Sequence, residues 1–265
     1  MNKVLFLVLL LGYLAFNMQT HPVLRLILVT VFVWLALVTT SSLAGEVNPN
    51  EVLAGLRSFF SKTARPDGSF ANGIDPEYRG MSDSTYSDLA AVTYAVTLHK
   101  TFGWKLPFEQ RTIEFLLARQ NASGDFFNVA GTVDPDSAEG RVYNTTQGIV
   151  ALHALGQKPR YPPLAVFEQI LKSDYKTLPP YSTSFFPLAY LAYGEPIPVE
   201  ADRRIRATMV QSADGYLNDH VAATFHAAHY YRLIRKPVPM RAEMIARTLH
   251  DLFTTSMSGR MSSSI

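Results

Sequence analysis

Beyond residue 45 the chain alternates between two kinds of apolar pattern. In the first, apolar residues fall on one face of a helix. Ile113, Leu116 and Leu117 do so after Pro107, and Leu164, Phe167, Ile170 and Leu171 after Pro163. Met240, Met244, Ile245, Leu249 and Leu252 do the same after Pro239. Such one-sided spacing predicts amphipathic helices with one wet side. Pro49 and Pro198 open two more segments. Proline suits a helix start, where its missing N–H would go unpaired anyway. In the second kind, at 89–98, 148–155, 185–191 and 221–234, alanine is frequent and no side is clearly polar. That predicts helices buried on both sides, with small residues allowing close approach.

The connections repeat as well. DGSF at 67–70, SGDF at 123–126 and DGYL at 214–217 follow wet helices, each placing a glycine where a helix must stop. Pro179-Pro180 takes that place in the third unit. The prolines lie 58, 56, 35 and 41 residues apart. A period of about 40 residues with two helices per unit reads as stacked helical hairpins. No strand pattern competes, so the fold class is all-α. Two architectures use such units: an open solenoid, and an α/α toroid with the buried helices in an inner ring and the wet ones outside. The near-apolar inner helices favour the toroid. Five outer and four inner helices make an incomplete ring or one open on a side.

Residues 1–44 are different. They carry apolar runs at 4–16 and 26–38, the cations Lys3 and Arg25, and no acid. Thirteen residues per run is short of the ~20 that span a bilayer. Read from Met18, the second run resembles a signal peptide, with Ser42 and Ala44 before a cut at Gly45. The other reading is a membrane anchor. Both place the 45–255 repeat domain, with its polar tail at 256–265, outside the cytosol or at a membrane. From residue 45 onward acids and bases balance, so the overall charge of +2 does not point to nucleic acid. With no cysteine, disulfides and thiolate zinc sites are excluded.

Three stretches carry a family resemblance: DGSF…DSTYSDLAAVTYAV, Q…SGDF…EGRVYNTTQGIVALHALG and Q…DGYL…HVAATFHAAHYY. Gln120, Gly124 and Phe126 recur in register as Gln211, Gly215 and Leu217. The chain resembles the protein prenyltransferase β-subunit and terpene cyclase superfamily from about Pro49 to Leu252. The resemblance implies an α/α toroid that holds an isoprenoid or prenyl chain in an apolar lumen. The polar first turns of the inner helices would rim one mouth.

The resemblance assigns roles residue by residue. Asp83 and Tyr86 match the Asp and Tyr that open one inner helix of the transferases, and His220 is the candidate for the histidine of their zinc site. Thr85 stands at the cysteine position, and a neutral hydroxyl is a poor zinc ligand beside a thiolate. Glu139, Arg141 and Tyr143 look like an entrance that holds a diphosphate, with Arg79 a second cation; arginine meets phosphate oxygens in pairs. The plain alternative for Glu139 and Arg141 is a solvated pair at a helix start. Asp134 and Asp136 offer an incomplete version of the cyclase acid, and carboxylates around a proline in a polar loop are also common turn formers. His226 and His229, three residues apart near His220, could hold a metal, or merely hydrogen-bond within a helix. Asn121 and Asn144 match glycosylation acceptors.

Three functions follow. One is an isoprenoid-binding toroid with or without prenyl transfer. Another is a non-catalytic exported scaffold for a peptide or protein partner. The third is a cyclase using Asp136 as acid.

Overall fold

The computed structural model describes residues 49–78, 83–173, 175–208, 211–216, 224, 228, 230–248 and 250. The leader or anchor of 1–44, the tail of 256–265, Arg79, His220, His226 and His229 lie outside them. The chain divides into two compact units, Met1–Leu56 and Arg57–Ile265. Of the first, only 49–56 is described, the opening turns of a helix.

The described elements are helical, and isolated bridges pair Ala64 with Phe70 and Gln120 with Phe126. The wet helices are α1 (Pro49–Thr63), α4 (Glu109–Ala118), α6 (Leu164–Ser173) and α9 (Val199–Thr208). Residues 241–248 form a fifth helical segment of this kind. The buried helices are α3 (Asp88–Thr101), α5 (Ala138–Ala154) and α8 (Phe185–Tyr193). Helical residues 230–233 belong to a fourth. Short helices α2 (Asp83–Tyr86) and α7 (Pro180–Thr183) stand before α3 and α8.

The prolines open helices less uniformly than the spacing predicts. Pro49 is the first helical residue of α1, but Pro163 and Pro198 stand one residue ahead of α6 and α9. Pro107 stands two ahead of α4, whose cap Phe108 takes a left-handed φ of 53°.

The buried helices α3, α5 and α8, the sequence-predicted inner set, run side by side in the same direction. Ser87, the N-cap of α3, donates to Asn144 Oδ1 at 2.7 Å, and Thr93, further along α3, donates to the Gln147 carbonyl at 3.1 Å. Ser182 likewise donates to Glu139 at 3.0 Å, and Tyr143 meets Phe185 edge-on at 5.1 Å. Partners that advance together along both helices define a parallel pair. Two apolar clusters result. One joins α1, α3 and α4 through Phe60, Phe70, Val92, Val96, Leu116 and Phe126. The other joins α5, α6 and α8 through Tyr143, Ile149, Phe167, Ile170, Phe186 and Tyr190.

The repeat is visible in backbone bonds. After each outer helix with a glycine turn, one carboxylate or amide oxygen closes the turn. Asp67 accepts from Ser69 N, Asn121 from Ser123 N and Asp214 from Tyr216 N. Gln120 Nε2 donates to the Gly124 carbonyl at 2.9 Å and to the Tyr161 carbonyl at 2.8 Å. Gln211 repeats this with the carbonyls of Gly215 and Pro239, at 2.9 and 2.8 Å. The glutamines seen in register in the sequence therefore tie the end of one outer helix to the approach of the next. The glycine is required there: at Gly124, φ is +97° and a Cβ would lie 2.1 Å from the Pro162 carbonyl oxygen. The inner helices share a different ending. Gly103, Gly156, Gly194 and Arg235 adopt positive φ. The next N–H reaches five residues back, Trp104 to His99, Gln157 to Leu152, Glu195 to Tyr190 and Lys236 to Tyr231. This is the Schellman arrangement, which satisfies carbonyls the helix leaves open.

Candidate functional site at the inner-helix entrances

The polar stretch that opens α5 is helical, as the sequence predicts, and from Val142 to Ile149 it is buried. Asn144, Thr145 and Thr146 are fully enclosed. A buried amide or hydroxyl must find partners or cost free energy. Here each does. Asn144 accepts from Ser87 and donates to Asn128 Oδ1 at 2.7 Å. Asn128 donates to the carbonyls of Ala130 and Val133. Thr145 accepts from Phe126 N at 3.1 Å, and Thr146 donates to the Val142 carbonyl. The network fastens the 120–137 loop across the first turns of α3 and α5. Asn144, enclosed in it, cannot be glycosylated in the folded chain, whereas Asn121 is exposed.

Arg141 takes part in the same fastening. Its Nε donates to Asp125 Oδ2 at 2.5 Å, and Nη2 donates to Gln169 Oε1 at 3.2 Å, on outer helix α6. The Asp125 side chain is only 7% exposed and that of Arg141 23%. To meet a diphosphate, Arg141 would have to leave a nearly buried carboxylate. Glu139 accepts from Ser182 and so links α5 to α7. A pair the sequence does not announce, Arg119 with Asp88 at 3.2 Å, joins the end of α4 to the start of α3. Burial pushes the Asp88 carboxyl up, against the pull of the Arg119 guanidinium.

Tyr86 and Tyr143 meet edge-on at 4.9 Å, and the contact continues to Phe185 and on to Tyr181 at 5.0 Å. Tyr143 and Phe185 are each 1% exposed. These four rings form an aromatic layer across the first turns of α3, α5 and α8. Past that layer, each inner helix leaves a partly exposed apolar strip: Tyr94 and Leu98 on α3, Val150 and Ala154 on α5, Leu188 and Leu191 on α8.

Asp134 and Asp136 are exposed. Asp134 Oδ1 accepts from Asp136 N, and its carbonyl accepts from the Ser137 hydroxyl, whose oxygen caps α5 through Gly140 N. Together they shape a turn and a helix start. Asp83 begins α2. Thr85, at the cysteine position, accepts from Thr132 N through its carbonyl. Among the described residues no group of three or more His, Asp or Glu is placed to hold a metal. Among them, too, no helix is long and apolar enough to cross a membrane.

At the opposite end of the inner helices, where α5 and α8 finish, lies a cleft of about 390 Å³. Ile149, Ala192 and Tyr193 give it an apolar side, and His153, Lys158 and Glu195 a polar one. Sequence reasoning missed it because its residues come from two links 40 positions apart that share no motif beyond the glycine. No protein-family model matches the chain, and no curated protein matches it.

Proposed function

We propose that the chain is an incomplete α/α toroid that binds an apolar chain of isoprenoid type along its inner helices and performs no transfer on it. The observation that carries this reading is a division of labour among the inner helices. Their polar first turns are spent on one another through Asn144, Arg141 and Glu139. Their later turns carry the exposed ring of Tyr94 and the partly buried apolar side chains of Val150 and Leu188, which pack on the core cluster. A ligand pocket is mostly apolar with few polar groups to orient the guest, and these side chains supply the apolar part. A transferase needs in addition a clamp for the departing diphosphate and an activated nucleophile. Arg141 is engaged elsewhere, and Thr85 replaces the thiolate that would bind zinc, so a zinc-activated step is not assigned.

The test is thermal unfolding of the full chain with farnesol, a longer polyprenol and farnesyl diphosphate. The alcohols should raise the melting temperature by mass action, and the diphosphate should add nothing to them. Val150→Trp, which fills the strip on α5, should abolish the shift. No shift with any isoprenoid, or one indifferent to Val150→Trp, refutes the reading.

A second reading, a scaffold for a peptide partner, is favoured by the mixed lining of the 390 Å³ cleft. In that case Tyr193→Ala should weaken the partner and leave isoprenoid shifts unchanged.

A further inference from the structure

The two ends of the inner helices differ in charge. At the entrance end, the described turns and loops 64–78, 119–137, 175–179 and 211–216 hold seven acids and three cations, Arg65, Arg119 and Lys176. At the other end, the links 102–108, 155–163, 194–198 and 235–239 hold five cations and one acid, Glu195. The cations are Lys105, Lys158, Arg160, Arg235 and Lys236, all exposed. None of the five has an ion-pair partner among the described residues. Because α3, α5 and α8 are parallel, their three links emerge on the same side. Ile234, just before the fourth link, packs in the same cluster as Ile197 of the third.

Cations near helix C-termini are expected on dipole grounds alone. That does not explain the aromatics among them. Phe102 is 43% exposed and stacks on Trp104 with ring centres 5.1 Å apart. Phe108, on the same link, is 48% exposed, and Tyr193 at the end of α8 is 37% exposed. Trp104 N–H to His99 O and the open left-handed Gly103 fix the turn that presents the stacked pair. Exposed aromatic rings interleaved with cations suit the boundary between lipid headgroups and acyl chains, where a ring sits at headgroup depth and each cation meets an anionic lipid. Duplex DNA would answer the cations but offers no layer into which Phe102 and Phe108 can bury.

We propose that this link face docks on an anionic membrane surface, with Phe102 and Trp104 entering the headgroup layer and the link cations facing lipid phosphates. The contact is separate from any insertion of the apolar runs at 4–16 and 26–38, and the experiment keeps the two apart. The full chain carries two tryptophans, Trp34 and Trp104. Trp34→Phe therefore makes Trp104 the sole reporter. Its emission is read on vesicles of phosphatidylcholine alone and with a quarter phosphatidylglycerol, with and without brominated lipid. Bromolipid should quench Trp104 only on the anionic vesicles, and about 0.5 M salt should reverse the quenching by screening. Lys105→Glu, Lys158→Glu and Lys236→Glu together should weaken Trp104 insertion by about 100-fold or more, at roughly a fivefold loss per basic residue removed from the surface. Circular dichroism confirms that the variant is folded. Phe102→Ser should weaken insertion and leave the salt dependence unchanged. Absence of quenching on anionic vesicles overturns the proposal. So does equal quenching on neutral ones, or a Trp104 response to duplex DNA in place of vesicles.

Discussion

Replacing Arg141 by Met distinguishes a structural pin from a ligand clamp. The Asp125 side chain is 7% exposed, its Oδ2 has Arg141 as partner, and its Oδ1 has no partner among the described residues. Met keeps most of the apolar stem of Arg141 and removes the charge. Breaking a buried pair from one side costs about 3–5 kcal/mol, because the remaining ion stays desolvated. Arg141 is itself 23% exposed, so water can reach the gap, and we expect a loss just below that range, about 2–3 kcal/mol. For a domain of this size that corresponds to a fall in melting temperature of about 5–10 °C. Urea unfolding of wild type, Arg141→Met, Asp125→Asn and the double variant gives the coupling directly. Asp125→Asn removes the stranded charge, so the double variant should recover about 1–2 kcal/mol relative to additivity. A loss below about 0.5 kcal/mol for Arg141→Met, with isoprenoid diphosphate binding abolished, would refute the pin and restore the clamp implied by the family resemblance.

Three further outcomes are expected. Tyr190→Phe should stabilise the chain by about 1 kcal/mol in urea unfolding, because the Tyr190 hydroxyl is buried without a partner among the described residues. The same burial pushes its pKa up to about 12, so wild-type ultraviolet titration should show a tyrosine that ionises only near that pH. Gly148→Ala should destabilise by about 2 kcal/mol despite the better helix propensity of alanine, because the new Cβ would lie 2.2 Å from the Phe126 ring. A neutral result would mean that Phe126 can shift. Hydrogen bonds from Ser212 and Arg247 lower Asp214 to about 2 in the folded chain, below its ordinary 3.8. Its stabilisation is thus complete above about pH 4 and lost as pH falls toward 2. The stability difference between wild type and Asp214→Asn should shrink across that window, and a constant difference would assign the effect to the turn backbone.

Much of the fold was legible along the chain. One-sided apolar spacing marked α4 and α6, the alanine-rich runs marked α3, α5 and α8, and Gln120/Gly124 with Gln211/Gly215 marked a repeated joint. These features are local: helix period, a glycine at positive φ, and an amide that spans one turn. The site was less legible. The sequence shows Glu139, Arg141 and Asn144 as polar residues at a helix start, the same signature whether they face a ligand or one another. The tertiary structure brings Asp125 within 2.5 Å of Arg141 and Ser87 within 2.7 Å of Asn144, and so turns an apparent entrance into an internal fastening.

The sequence by itself determined a predominantly helical domain with two classes of helix, because burial pattern and turn chemistry act over a few neighbours. Only the tertiary structure decided which polar groups are spent inside, which apolar strips remain half-open, and that the link cations of separate repeats gather on one side. The direction in which parallel helices stack sets all three, and it depends on contacts between residues dozens of positions apart.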